Sequence, residues 1–303
     1  MVAATTQILT SPIQLDLRRE DLSHPLYGGN KLRKLKYNLL KAKENNYETI
    51  LTFGGAWSNH IYATAAACKE HDFKSIGVIR GEEPKVYSDT LSFARECGMK
   101  FHFISRQEYR EKHEDYFKAW LRDQHGSLYM IPEGGSNYLG MQGCMEILSA
   151  SDKTDYSHIA CAAGTGATVA GLLISAGDHQ KILAFSALKD GAFLKDEIRT
   201  FVYYALGDEE SADELMGQLE VITDFDEGGY AKCSDRELEF LRRFNNQYDI
   251  KLDAVYTGKM MLGLHQMIGE NAFAEGSKIL AIHTGGLQGN VGIEKRMGSA
   301  LFS

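Results

Sequence analysis

The chain has 303 residues, 44% hydrophobic and 24% charged, which gives it enough apolar material for a sizeable core and argues against disorder. Its net charge of -8 disfavours a nucleic-acid groove or an anionic membrane surface, because both need a basic footprint. Any anion bound here must be met locally. Five widely spaced cysteines (Cys68, Cys97, Cys144, Cys161 and Cys233), with no Cys-x-x-Cys pair, speak against a disulfide framework or structural zinc and read as buried thiols. Residues 1–14 hold no basic segment followed by an apolar one, so the cytoplasm is the expected compartment.

In chain order, apolar or β-branched runs predict strands at 48–53, 74–79, 100–104 and 128–131, with helical patterns at 59–71 and 88–97 and after the later strands. A second series of strands is expected at 158–162, 181–186 and 278–283, again with helical sequence around it. Alternating strand and helix implies right-handed βαβ units and parallel sheets. Two series imply two sheets in two joined lobes, with boundaries near 48 and 150 and no low-complexity linker between them. The uncharged run 159–177 approaches membrane-spanning length, but Gly164, Thr165, Gly166 and Thr168 interrupt it near its start. It reads as a strand, a glycine loop and a helix.

Four constellations could carry chemistry. In Gly28-Gly29-Asn30-Lys31-Leu32-Arg33-Lys34-Leu35 a lysine follows a glycine turn at a helix start, which suits either a solvated basic face or a lysine held at a helix mouth. Gly54-Gly55 leads through Trp57 to Ser58-Asn59-His60. Ser58 is placed to cap the next helix, and the same helix N-terminus could hold a carboxylate. His60 reads equally as a surface histidine or a proton carrier. Gly164-Thr165-Gly166-Ala167-Thr168, between a strand and a helix, offers backbone N–H groups, hydroxyls and a helix N-terminus to a phosphate without any basic residue. It is neither a Walker loop nor Gly-x-Gly-x-x-Gly. Lastly, Tyr256-Thr257-Gly258-Lys259 and His283-Thr284-Gly285-Gly286 place hydroxyls and glycines at expected strand or loop ends. No metal-ligand cluster and no Gly-x-Ser-x-Gly nucleophile motif is present in the sequence.

Together and in this order, these motifs resemble the D-cysteine desulfhydrase and 1-aminocyclopropane-1-carboxylate (ACC) deaminase family, across nearly the whole chain. The resemblance implies an α/β, two-domain type II (tryptophan synthase β-like) fold, each domain an open, mostly parallel sheet flanked by helices. A large domain from residues 1–47 and 151–303 would bind pyridoxal 5'-phosphate (PLP), and a smaller α/β domain, 48–150, would be inserted in it. Lys31 would be the Schiff-base lysine. Lys34 and Gly164, Thr165, Gly166, Ala167 and Thr168 would hold the cofactor phosphate, Asn59 its ring hydroxyl, and Thr284 would approach the pyridine nitrogen. Ser58, Asn59, His60, Tyr230 and Tyr256 would meet a small amino-acid substrate, with Ser58 and Tyr256 also catalytic. A homodimer is implied, with neither nucleic acid nor membrane as partner.

The reaction implied is β-elimination from D-cysteine or a related β-substituted amino acid, giving pyruvate, ammonia and sulfide. The alternatives are ACC deamination to 2-oxobutanoate and ammonia, another reaction of the same fold, or a protein that only binds a metabolite. In the ACC deaminases the tyrosine of the Tyr-x-Gly-Lys motif is followed by Glu, an acidic partner that would keep the pyridine nitrogen protonated, whereas here the residue is Thr257. This difference favours the β-elimination.

Overall fold

The computed structural model describes residues 3–302. Strands β1 (Thr5–Leu9) and β2 (Gln14–Arg18) precede helix α1 (Asn30–Glu44). Then β3 (Thr49–Gly54), α2 (Asn59–Glu70), β4 (Lys74–Arg80), α3 (Asp89–Glu96), β5 (Lys100–Ile104), α4 (Asp115–His125) and β6 (Tyr129–Ile131) alternate. Helices α5 (Tyr138–Cys144) and α6 (Asp152–Asp155) lead to β7 (His158–Ala163), α7 (Ala167–Ser175), β8 (Lys181–Ser186), α8 (Leu194–Leu206), α9 (Glu209–Met216) and β9 (Leu219–Ile222). The chain closes with α10 (Asp235–Tyr248), α11 (Thr257–Gly269), β10 (Lys278–Ile282) and α12 (Gly289–Met297).

The strands make two sheets, ordered β1-β2-β10-β7-β8-β9 and β5-β4-β3-β6. Every pairing is parallel except β1 with β2. Parallel strands are covered on both faces, so successive residues must be apolar although they point in opposite directions. In β7, Ala160 and Ala162 join α10 and α11 residues such as Phe244 and Met260. Ile159, Cys161 and Ala163 join Leu172 of α7 and Ile198 of α8 on the other face. That is why 159–177 looked membrane-like; no helix among the described residues is long and apolar enough to cross a bilayer.

The smaller sheet packs Ile50 and Ile131 against α2 and against Leu35, Leu39 and Ala42 of α1. Its far face sets Leu51, Phe53 and Val78 on Phe117 and Leu121 of α4. Helix α5 touches both α1 and α7, and its Met141 and Cys144 lie in the large-sheet cluster. The two sheets are thereby locked through α1, α5 and α7, with the carboxyl ends of β3, β4 and β7 facing one cavity.

Three strands lay outside the expectations: β1, β2 and β9. The sequence QLDLR of β2 places Asp16 and Arg18 where a buried strand should be apolar. Tertiary partners meet one end of each: Arg18 Nη2 donates to Asp152 Oδ1 at 2.6 Å and Tyr156 Oη to Asp16 Oδ2 at 2.7 Å. Of the cysteines, Cys68, Cys144 and Cys161 are buried, but Cys97 and Cys233 are only partly so.

Candidate active site

A cavity of about 460 Å³ lies between the sheets. Helix α1 begins on its wall because Gly29 makes an approach no other residue could. Gly29 has φ +83°, and a Cβ there would stand 2.0 Å from the Thr284 carbonyl. That carbonyl accepts from Asn30 N at 3.1 Å, which seats the helix against the 283–286 turn and turns Lys31 to the cavity.

Among the described residues, Lys31 Nζ has no hydrogen-bond acceptor or ion-pair partner. Burial, and then the neighbouring Lys34 cation, lower its pKa to about 7. An amine that loses its proton near neutrality is a nucleophile for carbonyl carbon. Lys34, only 2% exposed, points to the same space. Its Nζ donates to the Gly134 carbonyl at 3.2 Å and to Thr165 Oγ1 at 3.4 Å, both neutral acceptors. A buried ammonium with no carboxylate calls for an anion.

The 164–168 loop supplies the rest of that seat. Gly166 is the N-cap of α7 with φ +77°, and Gly164, Thr165, Gly166 and Thr168 line the cavity beside Lys34. Thr168 Oγ1 accepts from Asn30 Nδ2 at 3.1 Å, tying the loop to α1. Ala167 is a correction to the expected set: it is fully buried, away from the cavity wall, and its N–H donates to the Thr165 carbonyl.

On the opposite wall, Ser58 caps α2, its Oγ accepting from His60 N at 3.2 Å and Ile61 N at 3.3 Å. Both are accepted bonds, so the hydroxyl proton stays free to donate. Asn59 lines the cavity with its buried Oδ1 unpartnered. His60 is a second correction, for it is 2% exposed and is not a surface residue. Thr52 Oγ1 donates to the Ile131 carbonyl, so it must accept from His60 Nε2 at 2.8 Å, which leaves Nδ1 as an unpaired acceptor. Burial, then the Lys31 and Lys34 charges, hold the His60 pKa well below its ordinary value. The neutral imidazole is therefore a poor proton carrier.

Tyr256 and Tyr230 close the cavity with ring centroids 6.1 Å apart. Burial, and then Tyr230, push the Tyr256 phenol well above its ordinary range, so it stays protonated and can donate. The Tyr256–Lys259 segment forms no strand end; it is the start of α11, where Asp253 Oδ1 and Oδ2 accept from the amides of Val255, Tyr256 and Thr257. Thr257 is fully buried behind the wall with an unpartnered Oγ1, whereas Thr284 is on the wall.

The roles of three side chains escaped the sequence reading. Lys259, 1% exposed, donates from Nζ to the Asp226 carbonyl at 2.6 Å and the Gly229 carbonyl at 2.7 Å, holding the turn that presents Tyr230. Arg296 of α12 donates to the Ala231 carbonyl on the other side of that tyrosine. Nothing local marks these contacts. Arg80 ends β4 on the cavity wall, and the rule that ligands collect at strand carboxyl ends could have found it.

The fold and the wall define a class: a two-sheet α/β scaffold that presents a weakly basic amine to a cavity beside a buried ammonium and a helix N-terminus. Comparison with known proteins narrows it. Residues 6–285 match the family described as pyridoxal-phosphate dependent enzyme. The chain is 31% identical over 303 residues to the bifunctional D-cysteine desulfhydrase/1-aminocyclopropane-1-carboxylate deaminase, mitochondrial, of Arabidopsis thaliana, covering 93% of this chain and 74% of that protein. It is 29% identical to the 1-aminocyclopropane-1-carboxylate deaminase of Rhizobium rhizogenes, covering 92% of this chain and 88% of the relative. A solved ACC deaminase homologue shares the fold with a TM-score of 0.81 at 24% identity, covering 98% of this chain and 93% of the other. The chain belongs to the pyridoxal-phosphate dependent enzyme family, in the group of the D-cysteine desulfhydrases and ACC deaminases.

The wall fits that cofactor. A phosphate matches the buried Lys34 ammonium and the α7 N-terminus, an aldehyde matches the unpartnered Lys31 amine, and a ring hydroxyl matches the orphaned Asn59 amide oxygen.

Proposed function

We propose that the chain catalyses β-elimination from D-cysteine or a related β-substituted amino acid, forming pyruvate, ammonia and sulfide. When bound through Lys31, the cofactor supplies an electron sink for charge developing at the substrate Cα. Lys34, Gly164, Thr165, Gly166 and Thr168 would hold its phosphate, Asn59 its ring hydroxyl, and Thr284 its pyridine edge. Lys31 would be the base that takes the Cα proton. A pKa of about 7 suits it to that exchange near neutral pH. Ser58 and the α2 N-terminus would orient the substrate carboxylate. Tyr256, protonated and on the wall, would hydrogen-bond the substrate, with Tyr230 above it and His60 beside it as a neutral acceptor.

The observation that carries the choice of reaction is the wall around Thr284. Thr257, at the position of the deaminases' Glu, is buried behind the wall, and Asp253 beneath it is occupied by three backbone amides. The carboxylates that do line the cavity are spoken for: Asp21 bonds Arg19 at 2.8 Å and Glu133 pairs with Lys112 at 3.4 Å. A threonine hydroxyl can bond a neutral ring nitrogen but does not stabilise a protonated one, and breaking a carbon–carbon bond needs the stronger sink. Departure of sulfide needs less. The test measures pyruvate from D-cysteine and 2-oxobutanoate from ACC with one preparation. D-cysteine turnover is expected to dominate, and efficient ACC turnover would reverse the assignment.

We propose further that the enzyme works in the cytoplasm as a homodimer, as the family resemblance implies. Light scattering should then return twice the 33.8 kDa chain mass, and cell fractionation should place it with cytosolic markers.

A further inference from the structure

One cation on the cavity wall is left without a counter-charge by the assignments above. Arg80 is the last residue of β4, exposed toward the cavity that Ser58, Tyr230 and Tyr256 share. A Cβ on Gly55 would stand 3.4 Å from Arg80 Nη2, so the guanidinium lies over the turn that leads to Ser58. Its Cζ is 5.6 Å from the Tyr109 ring centre. Among the described residues it has neither a hydrogen-bond acceptor nor a carboxylate at ion-pair distance. Glu133, the carboxylate that could have neutralised it, is held by Lys112. The lysines on the wall, Lys31 and Lys34, face the cofactor seat instead. The charge of Arg80 also reaches across the cavity, lowering the Tyr230 pKa against the burial that raises it.

We infer that Arg80 receives the group leaving from the substrate β-carbon, so that the enzyme selects amino acids whose β-substituent departs as an anion. This rests on the β-elimination proposed above. In that step the Cα–H proton passes to Lys31 Nζ and its electron pair becomes the Cα=Cβ bond. The Cβ–S bond breaks with its pair going to sulfur, which leaves as hydrosulfide. Water later releases pyruvate and ammonia, so atoms balance with one water consumed. Negative charge that grows on sulfur only as the bond breaks is stabilised by a cation already in place. ACC, whose ring opening expels no anion, gains nothing from Arg80.

The experiment uses the holoenzyme with D-cysteine and β-chloro-D-alanine as eliminating substrates. D-alanine in heavy water reports Cα–H exchange with no leaving group. Arg80→Gln is expected to lower kcat for both eliminations roughly tenfold while leaving D-alanine exchange at its original rate, and Arg80→Lys to recover part of the loss. A parallel fall in exchange and elimination would assign Arg80 to the substrate carboxylate or to the fold and overturn the inference, as would elimination indifferent to the substitution. An unmodified holoenzyme that exchanges D-alanine but eliminates neither substrate would instead bring down the proposed reaction, and this inference with it.

Discussion

The starts of α1 and α11 look alike in sequence, since each sets a lysine just after glycine: Gly29-Asn30-Lys31 and Gly258-Lys259. Both lysines have lowered pKa values, in each case chiefly through burial. Their surroundings then diverge. Lys31 opens on the cavity with no acceptor among the described residues, its charge opposed by Lys34. Lys259 is enclosed, bonded to two backbone carbonyls, and faces Glu237, whose acid burial pushes up to about 8. An unsatisfied amine is costly to the fold and available to chemistry, while a satisfied one is neither. Burial alone would have marked both as functional. Only the bookkeeping of acceptors separates them.

The largest test of this contrast removes each amine in turn. Lys31→Ala should reduce D-cysteine turnover by about three orders of magnitude or more, because base and cofactor anchor go together. Borohydride reduction of the unmodified holoenzyme and peptide mapping should label Lys31. A label on Lys34 or Lys259 would dismantle the assignment. Lys259→Met should retain the Lys31 label yet lose about 1–3 kcal/mol of stability in urea unfolding, since the two hydrogen bonds that pin the 226–229 turn are lost. With Tyr230 no longer held, its KM should rise more than its kcat falls. A folded Lys259→Met protein that no longer labels at Lys31 would place Lys259 in the cofactor site after all.

A smaller effect sharpens the comparison through pH. In cofactor-free protein the Lys31 amine should become reactive toward an acylating reagent with a midpoint near pH 7. Because the folded-state value lies below the unfolded one, the unfolded chain binds more protons between about pH 7 and 10.4. Stability from this group is therefore complete above the unfolded pKa and is lost as pH falls through about 7. Lys31→Met should flatten that part of the pH–stability curve. A reactivity midpoint near 10 would mean that Lys31 is solvated and paired in solution.

Much of this protein was legible in its sequence for physical reasons that are local. Strands covered on both faces must be apolar at every position, so β3, β4, β7, β8 and β10 announced themselves, and glycine loops at strand ends marked the cavity wall. Ser58 read as a cap and is one. Strand β2, between β1 and β10, did not announce itself, because it hides Asp16 and Arg18 among partners more than a hundred residues away. The state of His60 was equally hidden, since its tautomer comes from Thr52 and its neutrality from burial and then two lysines on another helix. The roles of Arg80 and Lys259 belong to the same class. Sequence by itself determined which segments form strands and turns, because backbone conformation and burial pattern are properties of neighbours along the chain. Which charges end up paired, and which are left facing the cavity, was decided only when distant segments met, because a charge is satisfied by what lies within a few ångströms in space.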